Sequence, residues 1–246
     1  MDALFHTDSY LRTAELPLVG THEEGMLVER ALFYPHGGGQ PGDQGAIELN
    51  DGTMLPVINT RYGPDRKTVL LVLRKDGEAL SPAAANLQPG TLVTGHIDWR
   101  LRYSHMQVHT ALHLLSAAIP HPVTGGQISD GEGRLDFSVG DATLDKEALT
   151  AQLQALVDAD HAVSQEWITD AQLDAQPELV KTMSVQPPRG SGRVRLVRIG
   201  SIDLQPCGGT HVHSTAEIGG IEVRKIENKG MQNRRVRIRL VPKDAI

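Results

Sequence analysis

The sequence has few cysteines, few aromatic residues and no long apolar run. Its single cysteine, Cys207, has no partner for an internal disulfide, which argues against a secreted, disulfide-stabilised protein and favours a reducing cytoplasm. No stretch approaches the roughly 18 apolar residues of a membrane span, and the N-terminus has no basic region followed by an apolar run. We therefore expect a soluble, cytoplasmic protein without a membrane partner. Its 246 residues suffice for one large or two small domains.

Acidic residues outnumber basic ones by 30 to 24, but the charge is unevenly distributed. Residues 189–246 hold 12 Lys and Arg against 5 Asp and Glu, whereas residues 1–188 hold 12 against 25. A basic C-terminal segment on an acidic body is compatible with a surface that contacts phosphates. An asymmetry of this kind is more often an ordinary solvated surface, so charge alone does not indicate an RNA-binding function.

The character of the sequence changes near residue 95. Residues 1–95 contain short β-like runs, such as residues 68–73, separated by clusters of Gly, Pro, Asn and Asp, which predicts a small β-rich domain. Residues 96–246 mix helical and strand patterns, which predicts an α+β domain. Strands are expected at 193–199, 220–226 and 234–241, and residues 187–192 are expected to form an exposed loop.

Two helices are predicted in the second domain. The first covers residues 104–118, with Ser104 as the candidate N-cap and Leu112, Leu115 and Ala118 toward a core. The second covers residues 145–159 with Asp145 as its cap. Its buried stripe is expected to consist of Leu149, Leu153, Leu156 and Val157.

Two pairs of metal-ligand residue types stand far apart in the sequence. His109 and His113 lie four residues apart on the first predicted helix, so both imidazoles share one face. Cys207 and His211 lie in a glycine-rich turn, and one cysteine with three histidines suits zinc. Each pair has an ordinary alternative: with His105 the histidines form a polar helix face, and a lone cysteine is often a small buried apolar residue.

The pattern His109-Thr110-Ala111-Leu112-His113 followed by Pro206-Cys207-Gly208-Gly209-Thr210-His211 closely resembles the editing domain of alanyl-tRNA synthetase, and even more the freestanding AlaX proteins. The similarity continues through residues 134–137 and 215–219 and through Lys225, Lys229, Arg234 and Arg235. The glycine-rich residues 37–45 also resemble a motif of the small β-barrel that precedes the editing domain in medium-length members of that family. The same stretch alternatively forms a mobile hairpin loop.

The resemblance implies a small N-terminal β-barrel, residues 1–95, followed by an α+β editing domain of the tRNA-synthetase type, residues 96–246. It implies a deacylase that hydrolyses tRNA(Ala) mischarged with serine or glycine. One zinc ion per chain would be held by His109, His113, Cys207 and His211. Four direct ligands would close the site, whereas a loosely held His211 would leave one position open. The zinc ion would then either lower the pKa of a water molecule or orient the substrate.

The resemblance also suggests residues that touch the substrate. Gln127 is the candidate for the pocket wall that selects serine, and Thr110 and Thr210 are secondary candidates. Gln127 is otherwise a solvated strand residue, and Thr110 otherwise bonds its own helix backbone. Contacts with tRNA are expected from Gly37, Gly38, Gly39, Gln40, Lys229, Arg234 and Arg235.

Some alternatives remain at this point. Adjacent arginines on a strand point to opposite faces, so only one of Arg234 and Arg235 is expected to reach the RNA. The alternative is that one of them pairs with Glu222 or Glu227 in the sheet. The chain is alternatively an editing hydrolase for another mischarged tRNA, or a non-catalytic RNA-binding module with a structural zinc.

Overall fold

The computed structural model describes residues 1–140, 143–182, 192–230 and 232–243. The chain divides into two compact units: Met1–Gly37 with Pro41–Tyr103, and Gly38–Gln40 with Ser104–Ile246. The predicted α+β class is confirmed, while the predicted domain boundary between residues 95 and 96 stays a prediction. The loop predicted at residues 187–192 lies, apart from Gly192, outside the described residues. In the part of the chain that the structure describes, no helix has the length and apolar character needed to cross a membrane.

The first unit is built on a seven-stranded antiparallel sheet that nearly closes, in agreement with the β-rich pattern and the expected barrel. Along the sheet the strands follow the order β6-β5-β9-β2-β3-β8-β7, and β1 pairs with β4 separately. The strands and short helices are β1 Asp2–Ala3, α1 Leu4–Thr7, β2 Thr13–His22, β3 Gly25–Val28, β4 Arg30–Ala31, β5 Gly45–Glu48, β6 Met54–Val57, β7 Asn59–Tyr62, β8 Val69–Val72, α2 Pro82–Ala85 and β9 Leu92–Ile97.

A buried ion pair fixes the second half of the glycine-rich segment within the first unit. The Arg102 guanidinium and the Asp43 carboxylate are 0% and 1% exposed, and Nε of Arg102 lies 2.9 and 3.0 Å from the two carboxylate oxygens. The same carboxylate accepts a bond from the backbone N–H of Tyr34, and the guanidinium also donates to the carbonyls of Ser9 and Leu32. Because a buried charge is costly without partners, this network holds Asp43 in one place.

The long helix α3 spans Trp99–Ala118 and so begins five residues before the predicted start. Ser104 is not its N-cap, and that prediction was wrong. The Asp98 carboxylate accepts a bond from the backbone N–H of Leu101, which satisfies a free donor of the first turn and starts the helix earlier. The Ser104 hydroxyl instead donates to Asp130 and accepts from the backbone of Gly131.

The second unit contains a four-stranded antiparallel sheet of order β10-β11-β16-β15 and a three-stranded one of order β12-β13-β14. Its elements after α3 are β10 Val123–Ser129, β11 Glu132–Ser138, α4 Lys146–Asp158, β12 Val163–Thr169, α5 Asp170–Asp174, a 3₁₀ turn at Pro177–Leu179, β13 Arg193–Ile199, β14 Asp203–Pro206, a 3₁₀ turn at Thr215–Ile218, β15 Gly220–Asn228 and β16 Asn233–Val241.

Helix α4 and the three predicted strands of this unit are confirmed. The Asp145 side chain caps α4 by accepting from the backbone N–H of Ala148, and Leu149, Leu153 and Val157 are buried as the periodicity predicts. Leu156, the fourth residue expected in the buried stripe, is only half-buried. The predicted strands correspond to β13, β15 and β16. The hairpin of β13 and β14 brings Cys207, the residue after β14, to the backbone of Arg195, whose carbonyl accepts from the Cys207 N–H.

Candidate metal centre

Four residues from two distant parts of the sequence form one cluster in the second unit. His109 and His113 come from α3, whereas Cys207 and His211 come from the turn after β14. Their ligand atoms all lie within 4.8 Å of one another, an arrangement suited to a metal ion. His105 is also buried, but it does not belong to this group. All three histidines of this helix face are buried, and the assignment of His109 and His113 as metal ligands stays a prediction.

His109 is oriented by Gln40. Its Nδ1 lies 2.9 Å from Oε1 of Gln40, and its Nε2 lies 3.4 Å from Sγ of Cys207. Gln40 is fully buried, so this contact is shielded from water. The amide oxygen accepts the Nδ1 proton, which leaves the Nε2 lone pair directed at the cluster.

His113 is oriented by a carboxylate. Its Nδ1 lies 2.9 Å from Oδ2 of Asp203, a side chain that is 0% exposed. Asp203 also accepts from Nζ of Lys181 at 2.6 Å and from Nε2 of Gln205 at 2.7 Å. Nε2 of Gln205 and Nδ1 of His113 are 3.1 Å apart, but both are donors to the same oxygen and do not bond each other.

His211 is oriented by a hydroxyl. Oγ1 of Thr110 donates to the carbonyl of Met106 at 2.9 Å, so it accepts from Nδ1 of His211 at 3.1 Å. Nε2 of His211 then faces Sγ of Cys207 at 3.3 Å. For His109, His113 and His211 alike, Nδ1 is engaged by a neighbouring polar group. This is how metal-binding histidines are commonly oriented, with Nε2 left for the ion.

The cluster is electrostatically coupled. Burial raises the pKa of the Cys207 thiol, but the imidazoles of His109 and His211 outweigh burial and hold that pKa well below its usual range. Burial also opposes the charged form of His113, yet hydrogen bonds to Asp203 and Cys207 raise its pKa to about 9, so a metal ion that binds Nε2 would displace a proton there. For His211, burial and the neighbouring His109 lower the pKa well below its usual value. The site therefore favours a thiolate, the form of cysteine that binds metal ions.

The turn that carries Cys207 is tightly held. A Cβ added at Gly209 would lie 2.2 Å from Cε1 of His109, so only glycine lets the turn approach the helix this closely. Nη1 of Arg195 donates to the carbonyls of Cys207 and Gly209, each at 2.9 Å. Arg195 itself is buried and its Nε donates to Gln165. The turn is thus fixed at Cys207 and at the residue two positions after it.

The predicted pocket residues take different positions. Thr110 is fully buried and bonds both its own helix backbone and His211. The backbone bond given above as the alternative for Thr110 is therefore present, and Thr110 also contacts the cluster through His211. Gln127 is exposed on β10, where its Oε1 accepts from Nε and Nη2 of Arg134 at 3.3 and 3.2 Å. The roles of both in substrate selection stay predictions.

The residues of the C-terminal segment that were predicted to contact tRNA differ in whether their side chains bond other residues of the chain. Nε and Nη2 of Arg235 donate to Asp136 at 2.7 and 2.8 Å, so the alternative pairing of Arg235 with Glu222 or Glu227 is wrong. Those two acids pair with Arg239 and Arg237. Nη1 of Arg234 donates to the neighbouring Asn233 carbonyl, and Lys229 is exposed.

Sequence reasoning missed Asp203, Lys181, Gln205 and Arg195, which support the cluster from β13, β14 and the segment before β13. The one available signal was Asp203, an acidic residue between Ile202 and Leu204, four residues before Cys207. The others carried no sequence signal, because their roles at the site depend on contacts made by the folded chain.

Comparisons with known proteins show that the chain is similar to a domain of tRNA synthetases and to alanyl-tRNA editing proteins. Residues 194–237 match the family model described as "Threonyl and Alanyl tRNA synthetase second additional domain". The chain is 32% identical to alanyl-tRNA editing protein AlaX-M of Methanosarcina acetivorans, over 96% of this chain and 97% of that protein. It is 30% identical to AlaX-M of Saccharolobus solfataricus, over 96% and 97% of the two chains. AlaX-L of Pyrococcus horikoshii is 29% identical, with 93% of this chain matching 55% of that protein.

Proposed function

Because the chain belongs to the AlaX family of alanyl-tRNA editing proteins, we propose that it is an aminoacyl-tRNA deacylase that acts in trans on tRNA(Ala) mischarged with serine or glycine. The reaction is hydrolysis: water adds to the ester carbonyl, the bond to the terminal ribose breaks, and free amino acid and tRNA(Ala) are released. The observation that carries the proposal is the cluster of His109, His113, Cys207 and His211, in a chain similar to these editing proteins over nearly its whole length.

We assign the cluster to one zinc ion. One thiolate and three imidazoles are ligands that zinc prefers, and burial of the histidines excludes competing water. Zn–S and Zn–N bonds of about 2.3 and 2.0 Å place sulfur and nitrogen ligands of a tetrahedral ion about 3.5 Å apart. Sγ of Cys207 lies 3.4 Å from Nε2 of His109 and 3.3 Å from Nε2 of His211, which fits that spacing.

Several residues of the chain hold the proposed zinc ligands in place. Gln40, Asp203 and Thr110 hold the three imidazoles, and Arg195 holds the turn that carries the thiolate. A bound zinc ion would supply a positive centre that orients the ester and favours attack on its carbonyl. His211 has the weakest orienting partner, a neutral hydroxyl at 3.1 Å, so we assign it the most loosely held ligand position.

Selectivity for serine requires a polar partner for one hydroxyl, since alanine and serine differ only there. A site that hydrogen-bonds the hydroxyl discriminates more strongly than an apolar site of the same shape. We keep Gln127 for this role because its exposed amide group is able to exchange its bond with Arg134 for one with the seryl group. The residues proposed to contact tRNA remain Gly37, Gly38, Gly39, Gln40, Lys229, Arg234 and Arg235, although Arg235 is already engaged by Asp136.

Side-by-side deacylation assays test the function. Ser-tRNA(Ala) and Gly-tRNA(Ala) should be hydrolysed much faster than Ala-tRNA(Ala), and a chelator should abolish the difference. Ser-tRNA(Thr) belongs in the same assay, because the matched family model also covers threonyl-tRNA synthetases. Faster hydrolysis of Ser-tRNA(Thr) would redirect the proposal to another editing substrate. Binding of tRNA without hydrolysis of any ester would indicate a non-catalytic module with a structural metal.

A further inference from the structure

The glycine-rich segment contributes three residues, Gly38–Gln40, to the compact unit that contains the metal centre. Gly39 docks its backbone on strand β10: its carbonyl accepts from the N–H of Ile128 at 2.9 Å. Its φ is +84°, and a Cβ added there would lie 2.8 Å from the carbonyl oxygen of Gly126. Position 39 therefore requires glycine both for its backbone angle and for its close packing. Its docking fixes the residue that follows.

Gln40 follows this docked glycine and is fully buried. Its Oε1 accepts from the backbone N–H of Thr210 at 3.1 Å, and its Nε2 donates to Oγ1 of Thr210 at 2.9 Å. Because a backbone N–H only donates, the atom facing it must be the oxygen, which settles the orientation of the amide. The same oxygen lies 2.9 Å from Nδ1 of His109.

The tautomer of His109 follows from that orientation. An amide oxygen accepts only, so Nδ1 of His109 must carry the proton and Nε2 must carry the lone pair. Nε2 is the nitrogen that faces Sγ of Cys207. A metal-binding histidine needs this arrangement, because the proton on the far nitrogen keeps the near one free for the ion.

We infer that Gln40 is a positioning residue of the metal centre, which fixes the tautomer and ring orientation of His109 while Gly39 fixes Gln40 against β10. The glycine-rich segment thus serves the chemistry of the site as well as any contact with tRNA. This inference rests on the zinc site proposed above. Direct contact of Gln40 with tRNA stays a separate prediction, and its burial disfavours it.

The first experiment compares Gln40→Met, Gln40→Glu and the control Gln44→Met in the full chain. Gln44 belongs to the same glycine-rich stretch but is exposed. Zinc affinity is measured by chelator competition, and the His109 tautomer by long-range ¹H–¹⁵N correlation of the zinc-loaded protein. Gln40→Met should bind zinc about 10- to 100-fold more weakly and lose the hydrogen-bonded Nδ1–H signal. Gln40→Glu keeps the acceptor, so it should bind zinc like the wild type and show a hydrogen-bonded Nδ1–H signal, which the carboxylate moves downfield. Gln44→Met should match the wild type in both measurements.

The second experiment tests the docking step with two adjacent glycines. Both have positive φ, +58° at Gly38 and +84° at Gly39, but only a side chain at position 39 meets neighbouring backbone. Gly39→Ala should weaken zinc binding as Gln40→Met does, whereas Gly38→Ala should keep the affinity within about three-fold of wild type. The double variant Gly39→Ala with Gln40→Met should lose no more zinc affinity than either single variant.

The outcomes separate this inference from the proposed function. A wild-type protein that binds no zinc would overturn the metal site itself. A wild type that binds zinc, with Gln40→Met equal to it in affinity and in His109 signals, would overturn the role of Gln40 alone. If Gln40→Met does not fold, Gln40→Glu decides: a carboxylate should move the Nδ1–H signal downfield, and an unmoved signal would overturn the inference.

Discussion

Replacing Asp203 with asparagine removes one negative charge from behind His113 while nearly preserving the size of the side chain. The Asp203 carboxylate is surrounded by three donors: Nδ1 of His113, Nζ of Lys181 and Nε2 of Gln205. Asparagine offers one oxygen and one NH₂ group. Whichever way the amide turns, its NH₂ group faces at least one of these donors, so the substitution cannot satisfy all of them.

The expected size of the effect follows from the bond that is lost. A hydrogen bond to a charged group contributes about 1.5–3 kcal/mol, and each 1.4 kcal/mol corresponds to about ten-fold in affinity. Because asparagine still offers an oxygen to His113, we expect Asp203→Asn to weaken zinc binding about ten-fold and Asp203→Ala about 100-fold, the range usual for partners of metal ligands. Lys181 is one-third exposed and will turn toward solvent.

Chelator competition measures the zinc affinity, and deacylation of Ser-tRNA(Ala) is followed at limiting and at saturating zinc. Activity should fall at limiting zinc and recover in large part at saturation. The control is Glu166→Gln, since the Glu166–Arg198 pair lies in the same three-stranded sheet with both side chains 43% exposed. An Asp203→Asn protein with wild-type zinc affinity but no activity at saturating zinc would refute the reasoning, because Asp203 would then act on the substrate.

Asp43→Ala should lower the free energy of unfolding by about 3–5 kcal/mol in urea denaturation, because it leaves the fully buried Arg102 guanidinium without its carboxylate. Gln127→Leu should lower the ratio of the deacylation rates of Ser-tRNA(Ala) and Ala-tRNA(Ala), because it removes the polar partner proposed for the seryl hydroxyl. In binding titrations over a range of salt concentrations, Lys229→Ala should weaken tRNA binding and reduce the salt slope by about one. Arg235→Ala should chiefly destabilise the sheet, because it removes the two hydrogen bonds that Arg235 donates to Asp136 and leaves that carboxylate paired with Arg134.

Each of these results has a matched reference. Asp2→Ala removes an ion pair with Arg30 in which the Arg30 and Asp2 side chains are 49% and 64% exposed, so its effect on unfolding should stay below about 1 kcal/mol. An Asp43→Ala effect as small as that would contradict the importance of the buried pair. An unchanged rate ratio in Gln127→Leu would move the serine-selecting group elsewhere. A Lys229→Ala protein that loses activity equally on a minimal seryl-adenosine ester would exclude a role confined to phosphate binding.

The sequence by itself was sufficient for local structure and for the residue types at the site. Periodicity and capping predicted helix α4 with Asp145 at its start, because both signals act within a few residues. The four-residue spacing of His109 and His113 places them on one helix face in any helical context. Resemblance to a known family paired them with Cys207 and His211, residues that no local rule connects to the helix.

The tertiary structure decided which groups surround those residues. Asp203 meets His113, and Gln40 meets His109, across separations of 90 and 69 residues, so neither contact leaves a periodic trace in the sequence. The same holds for Arg235, whose partner Asp136 lies opposite it only because β11 and β16 pair in that register. A shift of one residue would turn these side chains to the other face of the sheet. Register and long-range packing, which local sequence does not encode, therefore set the hydrogen bonds that orient the proposed zinc ligands.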